Sequence, residues 1–167
     1  MDQLEHPVSD EAARRRSELL AQIDDDDEST RAFAAEDAGL ENDPTLIAPL
    51  VARLFKEQSR IVRETLVRAL HQIDSPQVAS AMVTVLRADD AFLRNAAVAV
   101  LRTSGDPAIE ETSKLLQDAD PNIRKLALDV LSTILKPSAE ALLLQALGDT
   151  DVNVRIAAIE YLGDRGT

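Results

Sequence analysis

DPNIRKLALDVL, residues 120–131, decides the fold of this chain. Asp120 stands where a helix N-cap belongs, its carboxylate placed to accept from the open N–H groups of a first turn, a bond worth about 1 kcal/mol. Pro121 follows at the first helical position, where a missing N–H costs nothing. Ile123, Ala127, Leu128 and Leu131 then fall at helical spacing on one face around Arg124. Outward from this stretch the pattern returns along the chain, centred on Arg31, Arg63, Arg94, Arg124 and Arg155, which stand 32, 31, 30 and 31 residues apart. Four residues before each arginine is a capping side chain, Asp27, Ser59, Asp90, Asp120 or Asp151. The third residue after it is Ala34, Leu66, Ala97, Ala127 or Ala158, small enough in four of the five for close helix approach, and the seventh is Ala38, Leu70, Leu101, Leu131 or Leu162. Self-similarity at this period means stacked supersecondary units, none able to bury its apolar face alone.

A second helix opens in each unit at a proline thirteen residues after the arginine: Pro44, Pro76, Pro107 and Pro137. Asp43-Pro44, Ser75-Pro76 and Asp106-Pro107 read as cap then proline, while Lys136-Pro137 keeps only the proline. These helices close on Leu54, Leu86, Leu116 and Leu147. Short connections force antiparallel neighbours, so the two helices form hairpins that stack. The expected organisation is all-helical, with about four and a half hairpin repeats at 27–58, 59–89, 90–119, 120–150 and a partial 151–167. Residues 1–26 precede them as an extra helix, Ser9 to about Gln22, and an acidic linker.

The matching D-x-x-[VIL]-R cores, Asp90 to Arg94, Asp120 to Arg124 and Asp151 to Arg155, with the alanine and leucine columns behind them, resemble the HEAT repeat family, in particular its phycobilisome-lyase HEAT-like type. That resemblance implies a right-handed α-solenoid whose second helices line a concave groove. It also implies a structural ladder of Asp90, Arg94, Asp120, Arg124, Asp151 and Arg155 running between repeats. Two features of the first repeat depart from the pattern. Ala38 replaces the usual leucine, and Pro49 sits inside the second helix, where it must remove a backbone bond and kink or delay the helix.

Bulk composition narrows the function. Apolar residues make up 45% of the chain, enough for a continuous core, and there is no cysteine, which points to a reducing, cytoplasmic setting. Net charge is −12, and residues 1–54 carry 14 acidic and 5 basic side chains. A surface of this sign repels phosphate backbones and anionic membranes, so the expected partner is a protein or peptide of basic or mixed charge, not nucleic acid or membrane.

No catalytic constellation emerges, and neither metal nor cofactor is expected. The run Asp24 to Glu28 reads as a solvated loop entering a helix N-terminus. Asp149, Asp151, Asn153 and Glu160 match calcium-loop spacing, but Val154 stands where that loop needs glycine. His6 and His71 are far apart in chain and register, and the His-Glu pairs with which hydroxylases of this superfamily hold iron are missing. Arg14-Arg15-Arg16, the one basic cluster, is expected to solvate its helix or meet the acidic loop.

Candidate partner contacts are Ile61 and Phe92, apolar in an otherwise polar column, read either as surface anchors or as packed under the preceding loop. Along the second helices, Gln77, Ser80 and Thr84, then Glu110, Glu111 and Lys114, then Ser138, Glu140 and Gln145 are the polar positions that the resemblance places along the groove. The leading functional reading is a non-catalytic protein-binding scaffold. The alternative is a bilin lyase subunit or phycobilisome-handling factor, pairing with a second subunit. Ile156, Ile159 and Leu162 are expected to form an incompletely covered face at the end of the array, for self-association or continuation of the repeats.

Overall fold

A computed structural model describes the backbone of residues 7–164 and the side chains of residues 11–164; His6 lies outside them. It is all-helical, with no strand among the described residues, and falls into two compact units that divide between Ser75 and Pro76. The first holds α1 (Pro7–Ile23), α2 (Glu28–Glu41), a 3-10 turn at Pro44–Leu46, α3 (Ile47–Lys56) and α4 (Arg60–Gln72). The second holds α5 (Gln77–Leu86), α6 (Ala91–Thr103), α7 (Asp106–Leu115), α8 (Pro121–Thr133), α9 (Pro137–Gln145), a 3-10 turn at Ala146–Gly148 and α10 (Val152–Asp164). The fold class is the all-helical array of hairpin repeats that the periodicity predicts.

Within the first unit α2 packs on α4, α3 on α4, and α1 on both α2 and α3, so the N-terminal helix belongs to the same body as the first repeat. It starts at Pro7, upstream of the expected cap at Ser9. Arg15 fixes it to α2 through Asp37 at 2.6 Å and Glu41 at 3.2 Å, and Arg16 lies 3.8 Å from Asp43. Arg14 stays on its own helix, exposed and paired with Glu18 at 3.1 Å, while Arg15 and Arg16 meet α2 and its turn, not the acidic loop. In the second unit successive first helices pack together (α6 on α8, α8 on α10), as do successive second helices (α5 on α7, α7 on α9).

The repeat columns form the core. Ala34, Leu66, Ala97, Ala127 and Ala158 are buried, and so are Ala38, Leu70, Leu101, Leu131 and Leu162. Ala38 fits where other repeats use leucine because α2 and α4 approach unusually closely. A methyl group on neighbouring Gly39 would lie 2.8 Å from the Cα of Ala69 and would also collide with the Gln72 side chain. Asn42 ends α2 in the left-handed region at φ 52°, which asparagine tolerates, and its side chain accepts from the N–H of Asp74 at 2.7 Å.

Pro49 delays its helix without kinking it. The chain first makes a 3-10 turn capped by Asp43, whose carboxylate accepts from the N–H of Thr45. α3 then starts at Ile47, which puts Pro49 in the first turn, where its missing N–H has no partner to lose.

Three sequence expectations need correction. Asp106 does not cap α7: Gly105, at φ 65°, takes that place, Asp106 becomes the first helical residue, and its carboxylate meets Lys136 at 2.7 Å. α5 likewise begins after Pro76 without a side-chain cap. At the end of the array Ile156 and Ile159 are exposed, at 47% and 60%, but Leu162 is buried because α10 packs that side on α8 and α9.

Candidate functional site

The loops that carry each chain segment from a second helix into the next first helix are where the repeat arginines act. Arg31 donates to the carbonyls of Asp25 and Asp26, Arg63 to Glu57, Arg94 to Ala88 and Asp89, Arg124 to Asp118 and Ala119, and Arg155 to Asp149 and Thr150. Each guanidinium thus satisfies carbonyls five or six residues upstream that a tight loop leaves without helical partners. This is the physical reason for the arginine period.

The capping residues do the work expected of them. Asp90 accepts from the N–H of Phe92 and Leu93, Asp120 from Asn122, and Asp151 from Asn153 and Val154. The ladder between repeats is different from the one the resemblance implies. It runs through the column two residues before the caps, Asp25, Glu57, Ala88, Asp118, Asp149, which is acidic in four of five repeats. Each of the four accepts from the N–H of its own cap residue, at 2.8 to 2.9 Å. That column is legible in the sequence as an acidic residue two positions before the cap, but local spacing does not tell it from the solvated acids around it.

Two of these carboxylates also bind the preceding repeat arginine across the stack. Glu57 Oε2 accepts from Arg31 Nε at 2.8 Å and from Arg53 Nε and Nη2 at 3.0 and 2.8 Å. Its Oε1 accepts from Arg31 Nη2 and from the N–H groups of Gln58 and Ser59. The carboxylate is 1% exposed. Burial alone pushes its pKa up, but Arg31, the Ser59 N–H and Arg53 outweigh burial and hold it at about 2. Asp24 closes the group by binding Arg53 at 3.3 Å.

Asp149 occupies the corresponding place in the second unit. Its Oδ2 accepts from Arg124 Nε at 2.8 Å; its Oδ1 accepts from Arg124 Nη2 and the Asp151 N–H, each at 2.8 Å. These bonds, Arg124 first, hold its pKa below the ordinary carboxylate range against partial burial. Asp151, the ladder residue of the resemblance, adds only its charge to Arg124. The calcium-loop spacing at Asp149 and Asp151 is thus occupied by a guanidinium and a helix start. Beside Arg124 and Asp149 opens a cavity of about 320 Å³, walled by Leu116, Leu142 and Ala146 and edged by Gln117 and Gln145.

The groove candidates are mostly solvent-facing. Gln77, Ser80 and Thr84 on α5, Glu110 and Lys114 on α7, and Ser138 and Gln145 on α9 are exposed, on helices that pack in sequence within one unit. Glu111 is half-buried and pairs with Lys114 at 2.7 Å. Glu140, also half-buried, borders a hollow with Leu135 and Tyr161. Ile61 is 63% exposed on α4, whereas Phe92 is half-buried on α6. Tyr161, the one tyrosine, donates to Asp129 at 3.4 Å; burial first, then the charge of Asp129, pushes its pKa up to about 12. Among the described residues no group of His, Asp and Glu is placed to hold a metal ion, and no helix is long and apolar enough to cross a membrane.

The stacked helical pairs and their arginine-clamped loops define a class, and residues 16–102 and 109–167 match the model of HEAT repeats: the chain belongs to the HEAT repeat family. It is 29% identical over 151 residues to the bilin biosynthesis protein PecE of Mastigocladus laminosus, covering 86% of this chain and 56% of PecE. Its fold is similar to that in the complex of CpcE and CpcF of phycocyanin lyase from Nostoc sp. PCC7120, at a TM-score of 0.50 and 22% identity, over 86% of this chain and 62% of that one. The chain thus spans little more than half the length of these relatives.

Proposed function

We propose that this chain is a HEAT-repeat factor of the bilin-handling type, a protein-binding subunit that joins a second protein to act on a phycobiliprotein or its pigment. The observation that carries this reading is the resemblance to PecE along 86% of the chain. The fold shared with the CpcE and CpcF complex supports it, since that assembly is itself a pairing of two proteins. These similarities move the bilin alternative ahead of the plain scaffold that composition alone favours. The test is to mix the purified chain with a linear tetrapyrrole and a phycobiliprotein apo-subunit, with and without a second HEAT-repeat subunit, and to follow absorbance and co-elution. A shifted absorbance band or a stable complex is expected. An unchanged spectrum together with no association overturns the reading.

A second reading, a pigment-free scaffold for a basic protein, is favoured by the aromatic content: three Phe and one Tyr leave little for a flat pigment to stack on. It relies on the acidic surface, on Ile61 and Phe92, and on the exposed polar positions of α5, α7 and α9. Binding through charge weakens as salt screens it, while apolar anchoring weakens on Phe92→Ala. Affinity of a recovered partner at two salt concentrations, for both proteins, separates the two modes.

A further inference from the structure

The polar clusters at Glu57 and Asp149 are the same device built twice, and one is incomplete. Both carboxylates stand two residues before a helix cap, both accept from the cap residue's N–H, and both take Nε and Nη2 of the preceding repeat arginine. Glu57 Oε2 has two further donors, both from Arg53. Asp149 Oδ2 has Arg124 Nε alone. A carboxylate oxygen accepts more than one bond, and this one is half-supplied.

The difference has an address in the sequence. The N–H of Glu57 closes its turn on the carbonyl of Arg53; the N–H of Asp149 closes its turn on the carbonyl of Ala146. Counted instead as four residues before the carboxylate, the position of Arg53 is held by Gln145. Neither is cationic, and both border the cavity beside Asp149. Asp24, which steadies the far side of the Arg53 guanidinium, stands seven residues before Arg31; seven before Arg124 stands Gln117, also at the cavity edge. A carboxylate oxygen, two amide side chains and an aliphatic wall of Leu116, Leu142 and Ala146 match the head and stem of an arginine.

We propose that this cavity receives an arginine side chain from the protein partner, whose guanidinium donates to Asp149 Oδ2 as Arg53 donates to Glu57 within the chain. The inference rests on the protein-binding reading above and names the chemistry of the residue bound. Asp118 and Asp149 line the cavity beside Arg124, whose guanidinium is shared with Asp149 as that of Arg31 is shared with Glu57, and the acidic chain as a whole steers a basic segment toward it.

The test is an amide-resolved NMR titration of the full chain with a capped peptide carrying one central arginine, beside the same peptide with citrulline and beside free arginine. Saturable shifts at Gln117, Gln145, Ala146 and Asp149 are expected with the arginine peptide, at least tenfold weaker with citrulline, and weaker with free arginine, which lacks flanking chain. Ala146→Arg should fill the cavity from within and remove the response, with the melting temperature unchanged or raised. Equal response to citrulline, an undiminished response in Ala146→Arg, or no shifts at the four residues overturns the proposal. Tighter binding of free arginine makes the cavity a small-molecule site and overturns the partner assignment. A protein partner that binds Ala146→Arg as well as the original chain sinks the cavity while leaving the protein-binding reading intact.

Discussion

Glu57 in the first unit and Asp149 in the second differ by one methylene, one neighbouring side chain and one turn of backbone. α3 runs as α-helix to Lys56 and Glu57 closes on Arg53, whereas α9 tightens into a 3-10 turn before Asp149 closes on Ala146. The first carboxylate is sealed by two guanidiniums and 1% exposed; the second has one and is 13% exposed. The same carboxylate–arginine device is built once in each compact unit, and a change at the position four residues before the carboxylate, Arg53 against Gln145, leaves the second with one guanidinium fewer.

The sharpest way to break this comparison is to remove each carboxylate. Glu57→Ala strands two arginines in a buried site and should cost about 3 to 5 kcal/mol. Asp149→Ala leaves a single arginine with a path to water and should cost about 1 to 3 kcal/mol. Denaturant unfolding of the two variants checks the order, and equal losses would mean that the sites are energetically alike.

Packing should outweigh polarity in the second unit. Leu131→Ala opens a cavity among α8 and its neighbours and is expected to cost about 2 to 5 kcal/mol, more than Asp149→Ala. The cap at Asp120 is worth only about 1 kcal/mol. Unfolding midpoints that rank Asp120→Ala above Leu131→Ala would show the loop network, not the leucine column, to be dominant.

Acid sharpens the same contrast. Because Glu57 titrates at about 2 in the folded chain against an ordinary 4.5, its stabilisation is present above pH 4.5 and is lost as pH falls toward 2. That loss amounts to about 3 kcal/mol. Glu57→Gln should remove most of this acid limb, read as stability against pH from about 5 to about 2.5. An unchanged limb would place the acid-sensitive groups elsewhere.

The smallest effect expected is a gain. Thr112 on α7 is fully buried and its hydroxyl has no hydrogen-bond partner, at a helix position where α9 carries buried Leu143. Thr112→Val keeps the shape and removes the orphan, so the melting temperature should rise, by an amount equivalent to about 1 kcal/mol. A fall would mean that the hydroxyl is satisfied by water.

The sequence by itself determined the helices, their order and the buried columns, because caps, prolines and apolar spacing act within a few residues and recur. It also placed the delaying proline at Pro49 and the exposed Ile156 and Ile159. It misread Leu162, since burial there depends on which side of α10 meets α8 and α9. It could not say that the repeat arginines clamp loop carbonyls and reach carboxylates 25 or 26 residues ahead, although the acidic column two residues before the caps was in plain view. Those bonds join segments that only stacking brings together. The cavity at Asp149 is further still from local pattern: Gln145 and Ala146, which line it, hold the positions that Arg53 holds in the first unit, a difference whose meaning appears only when both loops have folded around the same guanidinium geometry.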